Sequence, residues 1–164
     1  MESPYQVPSG TSIGHVHLKV ADIDRALAFY KDALGFDQVM RLGDHAAFMS
    51  AGGYHHHIAL NTWHSRHGSP AAPNHTGLYH FAIRYPTRRD LAKAVRRVID
   101  AGVPLQGVAD HGVSESVYLA DLDGNGVELT RDRPENEWPR DAQGNLVMHM
   151  ADPLDLEALL KEAD

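Results

Sequence analysis

The chain has 164 residues, 43% apolar and 23% charged, which suits one soluble globular domain with a single real core. Its formal charge is −7, from 22 acidic against 15 basic residues, and no Lys/Arg-rich run appears, so a nucleic-acid footprint is excluded. The absence of cysteine removes disulfides, thiolate metal ligands and thiol nucleophiles together.

Met1 to Gly10 hold no cationic start and no apolar stretch of a signal peptide, and nothing later approaches the ~20 apolar residues of a membrane span. A cytoplasmic protein without a membrane partner is expected. Ile13 to Val20 has strand character, with Ile13, His15, His17 and Lys19 on one face. Asp22 reads as a helix N-cap, and Ile23, Ala26, Leu27, Tyr30, Ala33 and Leu34 follow at helical spacing up to Gly35, a natural C-cap. Strands are expected near Asp37 to Leu42, His45 to Ser50 and His55 to Asn61, with Asp44 and Gly52-Gly53 supplying turns. Thr62 to Thr76, polar and carrying Pro70 and Pro73, reads as a long loop.

The second half repeats the first. Leu78 to Tyr85 reads as a strand, Asp90 to Ala101 as a helix closed by Gly102, and strands follow near Leu105 to Val108, Glu115 to Ala120 and Gly126 to Arg131. Each half is strand, helix, then three strands, and neither covers its own apolar sheet face. The expected class is α+β: two tandem βαβββ modules, about 11–62 and 78–133, forming a curled mixed sheet around a metal site. They make a domain of 1–133, followed by a partly helical C-terminal extension of 134–164. In that extension Gly144-Asn145 reads as a turn and Leu154 to Ala163 as a short amphipathic helix.

Twelve histidines are the compositional oddity, and imidazole is the commonest protein metal ligand. His15 and His80 hold corresponding places on the first strand of each half. Glu128 lies in the last strand, after the Asp121-to-Gly126 turn. Two imidazoles and one carboxylate form the facial set that suits non-heme Fe(II) and leaves coordination positions open. Asp121, Asp123 and Asn125 match the start of a calcium loop, but Asp132 and Glu128 fall at the wrong positions for one, so a strand-connecting turn is expected. His64, His67 and His75 read as solvated loop residues, and His17 and His45 as surface residues.

The runs Gly14-His15-Val16-His17-Leu18-Lys19-Val20-Ala21-Asp22, Ala28-Phe29-Tyr30 with Leu34-Gly35-Phe36, and Asp123-Gly124-Asn125-Gly126-Val127-Glu128-Leu129 resemble the vicinal-oxygen-chelate superfamily. The resemblance covers about Thr11 to Arg133. It implies paired βαβββ modules and metal ligands at His15, His80 and Glu128. That superfamily holds glyoxalase I, extradiol ring-cleaving dioxygenases, fosfomycin-resistance proteins and metal-free bleomycin-binding proteins, so the scaffold does not fix the reaction.

Three further matches bear on the reaction. The Phe48-to-Leu60 run resembles the extradiol dioxygenases, whose acid/base histidine falls on His56. Asp110-His111-Gly112-Val113-Ser114 matches another pocket histidine at His111. Tyr118 falls where those enzymes carry a tyrosine that bonds the bound catecholate. The resemblance is greatest to small catechol 2,3-dioxygenases. It implies Fe(II), with Mn(II) accepting the same ligands, and as partners a small aromatic diol and O2 in aromatic compound degradation. A homo-oligomer, dimer or higher, is expected. Two alternatives belong to other classes: a glyoxalase-type isomerase or lyase with four protein ligands, and a ligand-sequestering resistance protein. The fourth-ligand slot falls on Ala59 in one alignment and on His57 in another. Ala59 is favoured because that register also accounts for His55-His56. Strand alternation then sets His56 on the opposite face from His55, His57 and Ala59, so a bulge or twist is needed to bring it to the metal.

Overall fold

A computed structural model describes residues 4–150 and 152–164. The first half runs β1 (Val16–Lys19), α1 (Ile23–Leu27), a wider helical turn over Ala28–Ala33, β2 (Asp37–Leu42), β3 (Ala46–Ser50) and β4 (Ile58–Asn61). The second runs β5 (Phe81–Arg84), α2 (Arg88–Asp100), β6 (Gly107–Asp110), β7 (Ser114–Ala120) and β8 (Gly126–Asp132). Short helical turns at Glu135–Glu137 and Lys161–Ala163 flank α3 (Leu156–Leu160). The class is α+β, with two four-stranded mixed sheets ordered β1-β4-β3-β2 and β5-β8-β7-β6. In each the first strand is parallel to the fourth and the remaining pairs are antiparallel.

Caps set the first helix. The Asp22 carboxylate accepts the Arg25 N–H at 2.8 Å, and Gly35 ends the segment at φ 86°, a left-handed angle that a side chain would strain. Between them the helix widens, with Leu34 N–H bonding Phe29 O at 3.0 Å. An i→i+5 bond of this kind takes one extra residue into the turn. The second helix starts two residues earlier than its apolar stripe suggests, because Thr87 Oγ1 accepts the Asp90 N–H at 3.1 Å.

Several strands are shorter than their alternation implies. β1 starts at Val16, whose N–H finds the His57 carbonyl at 3.0 Å, so Ile13 and His15 precede the ladder and are exposed. β4 starts only at Ile58, because the residues before it are used to close the turn from β3: His57 N–H bonds Met49 O at 2.8 Å.

Period-two alternation gives each sheet a core face and an opposite face. Leu18, Met49, Ile58 and Leu60 of one sheet join Val117, Leu119, Val127 and Leu129 of the other in one apolar cluster with α1, α2 and Leu159. The opposite faces therefore carry His17, Phe48 and Ala59 in the first half, and Ala82, Tyr118 and Glu128 in the second.

The halves are joined by specific bonds as well as by the core. Tyr30 Oη donates to Asp121 Oδ2 at 2.8 Å in a buried setting. Asp123 Oδ1 accepts from Arg25 at 2.5 Å and from Ala21 N–H at 3.1 Å. Arg97 donates to the Asp32 and Ala33 carbonyls at 2.7 and 3.0 Å, closing the end of the widened helix. Asp121 also holds its own turn, its Oδ1 accepting the Asp123 and Asn125 N–H groups at 2.9 and 2.8 Å. The same turn recurs in the extension, where Asp141 Oδ1 takes the Gln143 and Asn145 N–H groups, both at 2.9 Å.

The extension crosses the outer edge of the second sheet. Asp110 and Asp152 form an antiparallel bridge, and His149 N–H bonds His111 O at 3.0 Å. The chain then ends on α2, with Leu159 fully buried, Arg96 donating to Leu160 O at 2.8 Å, and Arg88 paired with Glu162.

Candidate functional site

Glu128 projects from the middle of β8, between Ala82 on β5 and Tyr118 on β7. Its Oε1 accepts from Ser116 Oγ at 2.5 Å and lies 3.4 Å from Tyr118 Oη. Its Oε2 lies 3.0 Å from His80 Nε2. Gly126 permits this approach, because a Cβ there would stand 2.2 Å from Tyr79 O and 2.9 Å from His80 Cβ. The sequence marks Gly126 only as a turn residue, whereas its structural use is to let His80 lie over the start of β8.

His111 and Tyr118 extend the same network. Tyr118 Oη and His111 Nε2 are 2.7 Å apart, and His111 Nδ1 is 2.7 Å from the His149 carbonyl. Burial raises the Tyr118 pKa above the ordinary phenol value, and the Glu128 carboxylate beside it adds to the rise.

A second cluster lies in the first half. The His15 and His56 rings have centroids 4.4 Å apart, and His56 meets the Phe48 ring edge-on at 5.3 Å. His55 and His56 share a hydrogen bond between their Nδ1 atoms at 2.8 Å. Burial lowers the His56 pKa below the ordinary imidazole value, and repulsion from His15 and His55 lowers it further. His56 reaches His15 from the turn between β3 and β4, so the bulge or twist within a strand that alternation demands is not used. The turn frees His56 from strand alternation.

His57 is committed to that turn. Its Nδ1 lies 3.2 Å from both the Ala51 N–H and Ser50 Oγ. Pairing registers then relate the two halves. Val16 faces Ile58 as Phe81 faces Val127, and His17 faces Ala59 as Ala82 faces Glu128. Ala59 is therefore the positional counterpart of Glu128.

The six residues singled out in the sequence thus fall into two groups, His15 with His56, and His80, Glu128, Tyr118 and His111. Among the described residues no three His, Asp or Glu side chains form one ready metal cage. The His80–Glu128 pair stands at a hydrogen-bond separation that is also compatible with two donors on one divalent ion. Two donors about 2.1 Å from a metal and at right angles to each other stand about 3.0 Å apart, and His80 Nε2 and Glu128 Oε2 have that 3.0 Å separation.

The sequence reading missed Ser116, which orients Glu128. Its signal was available, since Ser116 lies two residues before Tyr118 and so shares its face. It also missed the partner of His17, whose Nε2 bonds Asn61 Nδ2 at 2.9 Å while its ring meets Trp63 at 5.5 Å.

Residues 12–129 match the model of the Glyoxalase/Bleomycin resistance protein/Dioxygenase superfamily. The chain belongs to this superfamily. Among curated superfamily relatives, the catechol-2,3-dioxygenase of Bacillus subtilis (strain 168) is 42% identical over 153 residues, 93% of this chain and 52% of that protein. Biphenyl-2,3-diol 1,2-dioxygenase 3 of Rhodococcus globerulus is 30% identical over 126 residues, 73% of this chain and 63% of that protein. The chain thus spans about half to two-thirds of the length of these relatives. Among solved superfamily structures, a glyoxylase/bleomycin resistance protein/dioxygenase domain from Frankia sp. EAN1pec superposes with TM-score 0.62 at 22% identity, covering 76% of this chain and all of that one. A lactoylglutathione lyase from Agrobacterium tumefaciens gives 0.59 at 24% identity, covering 76% of this chain and 96% of that one. At these identities the superpositions speak for the superfamily fold alone. Among the described residues no helix is long and apolar enough to cross a membrane.

Proposed function

We propose that the chain is an extradiol dioxygenase that opens the ring of a catechol-type diol with O2, at a centre held by His15, His80 and Glu128. The observation that carries this reading is the equivalence of Ala59 and Glu128 in the two ladders. A methyl group stands where a four-ligand site needs a donor. A three-ligand centre keeps adjacent positions free for both diol oxygens and O2. The glyoxalase-type alternative needs a fourth protein donor, and His57 is engaged in its own turn. The names of the two curated relatives point the same way.

Bound there, Fe(II) would bring the diol and O2 onto adjacent positions and pass electrons between them; Mn(II) suits the same donors. The protein's own groups do the rest. Ser116 holds Glu128 in one orientation through its 2.5 Å bond. His56, biased toward its neutral form, is a base for a diol hydroxyl proton and afterwards an acid for a developing oxygen anion. Tyr118 and His111, joined by their 2.7 Å contact, offer polar contacts to a substrate oxygen. Phe48 beside His56, and Trp63 beside His17, give an aromatic ring an apolar surface to rest on. In this reading residues 1–133 carry the site, the extension supports it, and the protein works as a cytoplasmic homo-oligomer.

The test is anaerobic loading with Fe(II), or Mn(II) in parallel, followed by catechol in air. A yellow ring-opened semialdehyde formed with stoichiometric O2 uptake is expected. Metal retention without turnover on several substituted catechols overturns the proposal.

A further inference from the structure

The sequence gives the extension no chemistry, yet it supplies one of the two hydrogen bonds to the His111 ring. The segment from Pro139 to Met150, and Asp152 beyond it, lie along the end of the second sheet. Val147 N–H bonds Pro139 O at 2.9 Å, closing a small loop. His149 N–H bonds His111 O at 3.0 Å, and Asp110 and Asp152 exchange backbone bonds at 2.9 and 3.2 Å. The His149 ring is itself tied to Asp152 Oδ2 at 2.6 Å. Packing holds the segment down at Gly112, where a Cβ would stand 2.8 Å from Pro139 Cγ and 3.5 Å from the His149 ring. This is a strap laid on the β6–β7 turn, and it brings the His149 carbonyl to the His111 ring.

The direction of each bond follows from the groups involved. A carbonyl oxygen can only accept, so the 2.7 Å contact between His149 O and His111 Nδ1 requires the proton on Nδ1. In the neutral ring the lone pair then sits on Nε2. Tyr118 Oη, 2.7 Å from that nitrogen, donates its proton to it. That choice turns the Tyr118 O–H away from Glu128 Oε1, at 3.4 Å, and leaves the phenol oxygen lone pairs to face incoming groups.

We propose that His149 is a positioning residue: its carbonyl, held by the strap, fixes His111 as the Nδ1–H tautomer and thereby sets Tyr118 as a hydrogen-bond acceptor toward a substrate hydroxyl. This rests on the reading that His111 and Tyr118 border the substrate. It assigns the extension a part in the site that no motif in it signals.

The tautomer is read directly by long-range 1H–15N correlation on the full chain labelled at histidine, without added iron, with His111 identified by the signal lost in His111→Asn. A protonated, pyrrole-type Nδ1 and a pyridine-type Nε2 are expected. His149→Pro removes the N–H that bonds His111 O and shifts the carbonyl, and it should move His111 toward the Nε2–H form. Asp152→Ala frees the strap more gently and serves if the proline variant does not fold; it should shift the tautomer the same way. On iron-loaded protein either variant should lower kcat by roughly 10–100-fold, as for lost supporting partners of a functional histidine, with little change in KM for catechol. An Nε2–H form in the unaltered protein, or an unchanged tautomer in every folded variant, overturns the proposal. The two readings fail separately. Catechol cleavage with the wrong tautomer removes only the strap's role, and the right tautomer without cleavage removes only the dioxygenase.

Discussion

Ala59 and Glu128 stand on the same rung of the two repeated sheets, one flanked by His17 and Phe48, the other by Ala82 and Tyr118. The repeat is therefore symmetric in backbone and asymmetric in donors. Under the proposed function, replacing Ala59 by Glu puts a carboxylate in the slot that the metal centre leaves open. The expected outcome is tighter retention of a divalent ion and a loss of catechol turnover, each on the order of 10-fold or more, as an open coordination position is filled. Metal titration and O2 uptake on the same preparation check this; undiminished turnover would show that Ala59 does not face the metal.

Under the proposed function, His56→Ala separates acid/base work from metal binding. The His56 ring lies tilted against the His15 ring and sits in the turn between β3 and β4, so its removal leaves both sheets intact. Metal content should be unchanged while ring opening slows by roughly 10²–10⁴-fold, the range for a lost acid/base group. Metal loss in this variant would move His56 into the ligand set.

Tyr30→Phe removes the buried bond from the first half to Asp121. Burial and the neighbouring Asp121 raise the Tyr30 pKa far above the phenol value, so the hydroxyl stays a donor at every working pH. Losing a hydrogen bond to a charged acceptor costs about 1.5–3 kcal/mol. Urea unfolding followed by circular dichroism should show a lower midpoint with an unchanged slope.

Asp110 links acid stability to the strap. Burial pushes its carboxyl up, but the Gly112 N–H at 2.8 Å and the Arg133 guanidinium outweigh burial and hold it below the usual range. A depressed folded-state pKa means that the unfolded chain binds the proton first. Its stabilisation is thus complete above the unfolded value of about 3.9 and is lost as pH falls through the lower folded value. Asp110→Asn should weaken the protein near neutral pH and flatten the fall in stability below about pH 4. Thermal midpoints across that range test it, and an unchanged acid slope would contradict it.

Where one side chain or one cap decided the local structure, the sequence was legible. Asp22 and Gly35 bound the first helix, and β2 keeps its expected limits from Asp37 to Leu42. The β4 boundary was not legible because His55-His56-His57 alternates into Ile58 without a break in pattern. Only the tertiary need to close the turn after Gly52-Gly53 takes those residues out of the strand. The widened turn at Ala28–Ala33 was hidden for a related reason: Phe29, Tyr30 and Leu34 satisfy an apolar stripe with or without an extra residue per turn. In the candidate site, motif resemblance singled out Glu128 and Tyr118, which the fold sets 3.4 Å apart, whereas the His149 contact is made by a backbone carbonyl, which leaves no trace in side-chain identity.

The bonds from Tyr30, Arg25, Ala21 and Arg97 hold the two halves together without help from the exposed loop between them. The loop ties back to the first half at its start, where Ser65 Oγ and His67 N–H bond the Val20 and Ala21 carbonyls, both at 2.9 Å, and residues 69–74 beyond that are exposed. A protease nick between Ser69 and Asn74 should leave two fragments that migrate as one particle until denaturant is added. Genes encoding the fragments separately should yield a split protein that reassembles through its own interface.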